Sequence, residues 1–90
     1  MPASSEQAVL VRLPENVALH ARPAGMFVRQ AAQAAAEIRV EANGRSANAK
    51  SILDVLALGA TGGTELVISA SGADAAEALE RLAELVSSLT

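Results

Sequence analysis

Asn43-Gly44 is the feature that most restricts what this chain can become. Both residues adopt positive φ with little penalty, so the pair favours the tight primed turn that joins two antiparallel strands. Period-two segments flank it: Ile38 and Val40 alternate with Arg39 and Glu41 before the turn, and Arg45 to Ala49 forms the return strand after it. A hairpin in the middle of a chain needs further strands to pair with and other elements to cover its apolar face.

The flanking sequence supplies both. Gln7 to Leu13 alternates, with Val9, Val11 and Leu13 on one face and Leu10 and Arg12 on the other, until Pro14-Glu15-Asn16 breaks it. From Pro23 the period changes, and Ala24, Phe27, Val28, Ala31 and Ala35 stand at helical spacing. Pro23 suits a first turn, where its missing N–H is not needed, so this helix begins near His20 to Arg22. Ser51 reads as the N-cap of a short second helix, with Asp54 in its first turn and Ile52, Val55 and Leu56 on one face. Gly59 and Gly62-Gly63 end it. Glu65 to Ser71, carrying Leu66, Val67 and Ile68, reads as a buried strand. Asp74 to Leu89 reads as the third helix, with Leu79, Leu82, Leu85, Val86 and Leu89 in its apolar stripe and Glu77 placed to pair with Arg81. The order β-α-β-β-α-β-α predicts an α+β open-faced sandwich, one sheet with helices on one side. Residues 7–90 then make a single domain, and the small, polar residues 1–6 a flexible N-terminus.

Composition narrows the function. Alanine fills 21 of the 90 positions and Phe27 is the only aromatic, so the core is aliphatic and closely spaced, with little room for a large buried ligand. The absence of Cys excludes disulfides, thiolate metal sites and a Cys nucleophile, and a lone His20 excludes a His-cluster zinc site. No metal and no cofactor are expected. A net charge of −3 and the near absence of aromatics argue against nucleic acid as a partner. No run approaches the ~18 apolar residues of a membrane span, and no basic-then-apolar leader opens the chain. A cytoplasmic protein without membrane insertion is expected.

Leu19-His20-Ala21-Arg22-Pro23-Ala24 puts the only imidazole immediately before a Pro-initiated helix. A helix start offers unpaired backbone N–H groups and the positive end of the dipole, which together attract an anion. Arg22 adds a planar cation suited to phosphate oxygens. A neutral imidazole is nucleophilic and can hold a labile phosphoryl group. Ala18, Ala21, Ala24 and Gly25 are small enough to leave the ring within reach of another protein. The same residues also fit a plainer role, with His20 capping the helix and Arg22 a solvated charge. An enzyme of another type is hard to build here, because the motif holds no second titratable group to act as its base.

The motif around His20 resembles the active-site signature of HPr, the histidine-containing phosphocarrier family of the bacterial sugar phosphotransferase system. Downstream, Asn43-Gly44, Asn48-Ala49-Lys50-Ser51-Ile52-Leu53 and Leu58-Gly59 resemble a second block of that family. Gly62-Gly63-Thr64-Glu65-Leu66 and Ser69-Ala70-Ser71-Gly72 continue the likeness. Two spaced motifs are far more specific than either alone. The resemblance implies a four-stranded antiparallel sheet covered on one side by three helices. It implies a phosphoryl carrier rather than an enzyme: His20 would accept the group on Nδ1 from phosphorylated enzyme I and pass it to enzyme II A components in sugar uptake. Arg22, with the backbone N–H groups of Ala21 and Arg22, would hold the phosphoryl oxygens.

Further roles follow from the same resemblance. Ser51 stands at the family's regulatory serine, the target of an HPr kinase/phosphorylase in hosts that have one, although a helix cap needs no kinase. Ile52, Leu53 and Leu56, with Gly25 and Arg29 nearby, match the partner-docking face, while their helical spacing also reads as core. Asp54 departs from the small Gly of many relatives, and Ala18 replaces a common Gly; a monomer is expected. Two other readings stay open. One is an HPr paralogue or HPr-like domain in nitrogen regulation or dihydroxyacetone phosphorylation. The other is a non-catalytic α+β regulatory binding module in which His20 only caps a helix.

Overall fold

In the computed structural model, which describes residues 6–90, the elements run β1 (Gln7–Arg12), α1 (Ala21–Ala32), β2 (Glu37–Ala42), β3 (Arg45–Asn48), α2 (Ile52–Ala57), β4 (Glu65–Ser71) and α3 (Ala75–Ser88). Of the expected flexible stretch, only Glu6 falls within the described residues. The four strands form one antiparallel sheet in the order β1-β4-β2-β3. The hairpin closes as its residues dictate: Asn43 and Gly44 have φ of 56° and 75°, and Ala42 pairs with Arg45.

Strand alternation decides which face is covered. Ile38, Val40, Leu66, Ile68 and Ala70 point inward and are buried with Ala24, Phe27 and Ala31 of α1, Val55 of α2 and Leu79, Leu82 and Val86 of α3. Their partners in the alternation point to the open side. Leu10 is 60% exposed there, and its cross-strand neighbour Val67 is 38% exposed, which corrects the expectation that the whole of β4 is buried. In an antiparallel sheet covered on one face only, alternate residues of the central strand still face water.

One expectation about a helix end is also corrected. Ala35 does not extend α1. The helix stops at Ala32, and the N–H groups of Ala35 and Ala36 donate to Asp74 Oδ2 and Oδ1, both at 2.9 Å, while Ala34 O accepts from Lys50 Nζ at 2.7 Å. Asp74 is thereby spent on another segment, and although it stands at the N-cap of α3 its side chain makes no cap bond there. The expected Glu77–Arg81 pair forms at 2.8 Å.

The loop leading into α1 is fixed from outside. Leu13 N–H donates to Thr64 O at 2.9 Å, Gly63 N–H to Leu13 O at 3.1 Å, and Leu19 N–H to Ala60 O at 3.0 Å. Gly62 must lack a side chain, because a Cβ there would run into the Glu15 carbonyl.

Candidate functional site

His20 occupies the N-cap of α1 in extended backbone, φ −86° and ψ −167°. Its N–H donates to Ala18 O and its carbonyl accepts from Ala24 N–H, each at 2.8 Å. Leu19 before it and Pro23 and Ala24 after it are buried, so the backbone is anchored on both sides while the His20 side chain is exposed. The imidazole makes no cap hydrogen bond. That removes the plainer reading in which His20 exists to cap the helix.

Among the described residues, no other side chain takes over the capping. Ala21 and Arg22 are the first two helical residues, whose N–H groups have no carbonyl one turn back to receive them, and Pro23 has no N–H to offer. The first intrahelical bond is therefore the one from Ala24. Two open donors and the positive end of a twelve-residue helix lie beside an unengaged ring.

Arg22 is exposed, but its guanidinium is already occupied. Nη2 donates to Thr90 O at 3.1 Å and Nη1 lies 3.6 Å from Met26 Sδ, one helical turn on. Thr90 gave no signal of this role in the sequence, since it lies 68 positions away. Arg29 is exposed too, and its guanidinium lies over Gly25, where a Cβ would sit 3.7 Å from Nη1.

At α2, Ser51 caps as its position predicts, its Oγ accepting from Asp54 N–H at 3.3 Å. Of the apolar residues expected on one face, only Val55 is buried, at 0% exposure. Ile52, Leu53 and Leu56 are 39%, 76% and 37% exposed, so their spacing does not mean core. The Leu19–Ala60 bond sets the end of α2 beside the His20 loop.

Clefts lie between α1 and α3 around Gln30, Asp74 and Arg81 and along the open sheet face around Arg39, Glu41 and Val67, and neither is lined by His20. Asp74 is the group whose carboxyl is held below its ordinary range, chiefly by the Ala35 N–H and further by the Ala36 N–H and the nearby Lys50 charge. It ties the α1–β2 connection and takes no part in the His20 site.

The family described as PTS HPr component phosphorylation site matches residues 6–88. The HPr-like protein Crh of Bacillus subtilis is 42% identical over 81 residues, 90% of this chain and 93% of Crh. The phosphocarrier protein HPr of Vibrio cholerae is 43% identical over 79 residues, 88% of this chain and 93% of that protein. Among solved structures, HPr of Bacillus anthracis superposes with a TM-score of 0.86 at 38% identity, over 91% of this chain and 98% of its own. A crystal structure of the Bacillus subtilis Crh superposes at 0.74 with 39% identity, over 83% and 86% of the two chains, and is described as a swapped dimer. That dimer does not fit the expectation of a monomer, which rested on no interface argument. No helix among the described residues is long and apolar enough to cross a membrane.

Proposed function

The chain belongs to the HPr family of phosphocarriers, and from that premise we propose that His20 is its phosphoacceptor, loaded by phosphorylated enzyme I and unloaded onto an enzyme II A component during sugar uptake in the cytoplasm. The observation that supports this is the exposed imidazole at an uncapped helix start, with the Ala21 and Arg22 N–H groups open beside it. In the neutral ring, Nδ1 offers its lone pair to phosphorus while Nε2 keeps the proton. The new N–P bond forms as the bond from phosphorus to the donor atom breaks, and that electron pair stays on the donor. The transferred oxygens carry negative charge toward the two N–H groups and the helix dipole. Arg22 exchanges Thr90 O for a phosphoryl oxygen, a charge-assisted contact. The chain carries the group and turns over no free metabolite.

Docking is assigned to Ile52, Leu53 and Leu56 with Arg29. Apolar side chains exposed on a helix beside the site are best accounted for by a protein that covers them. Ser51 is a structural cap, and phosphorylation by an HPr kinase/phosphorylase would add roughly −2 charge at the edge of that face. A second reading, a regulatory module of the kind represented by Crh, has support from the comparable 42% identity to that protein. Incubation with enzyme I and phosphoenolpyruvate, followed by intact-mass measurement, separates the two. A carrier gains one acid-labile adduct of ~80 Da that is absent from the His20→Ala protein, whereas a module that never carries phosphate gains none.

A further inference from the structure

Resting on the reading of His20 as phosphoacceptor and Arg22 as its phosphoryl contact, we infer that Met26 is a modification site: a peroxide oxidises its thioether to the sulfoxide, which holds Arg22 and slows transfer. Met26 stands four residues after Arg22 on α1, so the two side chains share a face of the helix. Its Sδ lies 3.6 Å from Arg22 Nη1 in an exposed contact, while the half-buried side chain packs against the core. The chain has no Cys, Trp or Tyr to compete for an oxidant, and Met1 carries its only other sulfur. The readily oxidised atom among the described residues is therefore the one that touches the guanidinium.

A thioether sulfur is a weak acceptor, so its contact with Nη1 is easily given up. That suits a side chain which must leave Met26 and Thr90 to meet a phosphoryl oxygen. Oxidation changes the balance, because it puts a strongly polar oxygen on the atom that already faces the guanidinium. In that step a sulfur lone pair attacks one oxygen of hydrogen peroxide and the O–O bond breaks. The departing hydroxide takes the proton left on the transferred oxygen and leaves as water. Sulfur gives up two electrons and the peroxide accepts them. The Ala21 and Arg22 N–H groups are untouched, so transfer slows rather than stops. The loss is bounded by what removal of the guanidinium itself would cause.

The full chain is treated with hydrogen peroxide, the added oxygen is located at Met26 by peptide mass mapping, and adduct formation with phosphorylated enzyme I is timed by rapid quench. Oxidised wild type is expected to be about three- to tenfold slower than untreated protein. Treatment with methionine sulfoxide reductases should restore the rate. Two variants separate this effect from general damage, each compared with itself before and after peroxide. Met26→Leu keeps Met1 and His20 but has no thioether beside Arg22, and its rate should not change. Arg22→Ala keeps Met26, and oxidation should leave its rate where it was, because the sulfoxide acts through the guanidinium. A wild-type rate unchanged by oxidation of Met26, or an equal loss in Arg22→Ala, overturns the inference. The untreated protein keeps the two readings apart. If it gains the adduct and peroxide has no effect, the Met26 inference alone fails; if it gains no adduct, the His20 reading fails and this inference with it.

Discussion

The starts of α1 and α2 pose the same physical problem and solve it in opposite ways. Each leaves backbone N–H groups without intrahelical acceptors. At α2 the chain supplies the acceptor itself, with Ser51 Oγ accepting from Asp54 N–H. At α1 it does not: His20 stands at the capping position and its ring bonds to nothing there. A protein selected only for stability would cap both. Of these two, the uncapped start is the one with the nucleophile, and the open donors are what a transferred phosphoryl group needs.

The largest way to break this contrast is at His20. His20→Ala is expected to abolish adduct formation with Tm nearly kept, because the ring makes no cap bond and is not packed. His20→Asp sharpens it further: a true cap at α1 should stabilise the fold by about 0.5–2 kcal/mol relative to His20→Ala. Thermal melts beside mass measurement check both, and a His20→Asp protein less stable than His20→Ala would show that α1 was never short of a cap.

Arg22→Ala comes next in size. The Ala21 and Arg22 N–H groups survive the change, so transfer should slow rather than stop. A charge-assisted contact of ~1.5–3 kcal/mol made in the transition state corresponds to roughly ten- to more than a hundredfold in rate. Rapid-quench kinetics with phosphorylated enzyme I measure it. A wild-type rate would mean that the guanidinium never leaves Thr90 and Met26.

At the Ser51 cap of α2 the expected effect of losing the cap bond is on stability. Ser51→Ala should cost about 0.5–2 kcal/mol by loss of its cap, with little effect on the rate at His20, and Ser51→Asp should keep the cap. Chemical denaturation of the three proteins tests this; equal stability of Ser51→Ala and wild type would remove the claim that α2 caps itself.

How much of this was legible in the sequence depends on the range of the interaction. The hairpin, the Ser51 cap and the Glu77–Arg81 pair are set by neighbours within four residues, and each appears where local chemistry puts it. His20 at a helix start was legible for the same reason, through Pro23. What escaped was decided across the fold. The end of α1 is set by Asp74 and Lys50, distant in sequence, which capture the backbone that Ala35 would have used to continue the helix. Arg22 meets Thr90 because α1 and α3 lie side by side, and no spacing rule reaches that far. Ile52, Leu53 and Leu56 share a spacing with core residues, and only the packing of α2, which buries Val55, decides that they stay exposed.

The third helix start gives the smallest effect at neutral pH and the most specific signature. Asp74 stands where it could cap α3, yet both carboxylate oxygens accept from Ala35 and Ala36 instead. These bonds favour the charged form, so its pKa in the folded chain lies below the ordinary carboxylate value, with the Ala35 N–H as the main cause. A carboxyl with a lowered folded pKa binds protons more readily when the chain unfolds. Its contribution to stability is therefore complete above the ordinary value of about 4 and is lost as pH falls from there through the lowered folded pKa. Wild type should lose stability across that acid window, while Asp74→Asn, which has no proton to take up, should show a flatter profile there and a modestly lower Tm at neutral pH. The adduct on His20 should form equally in both, because the clamp lies at the far end of α1 from the ring. Denaturation midpoints at a series of pH values below 5 decide it. Parallel profiles for the two proteins would mean that other carboxylates dominate the acid transition and that the Asp74 bonds are no stronger in the folded chain than those it makes to water.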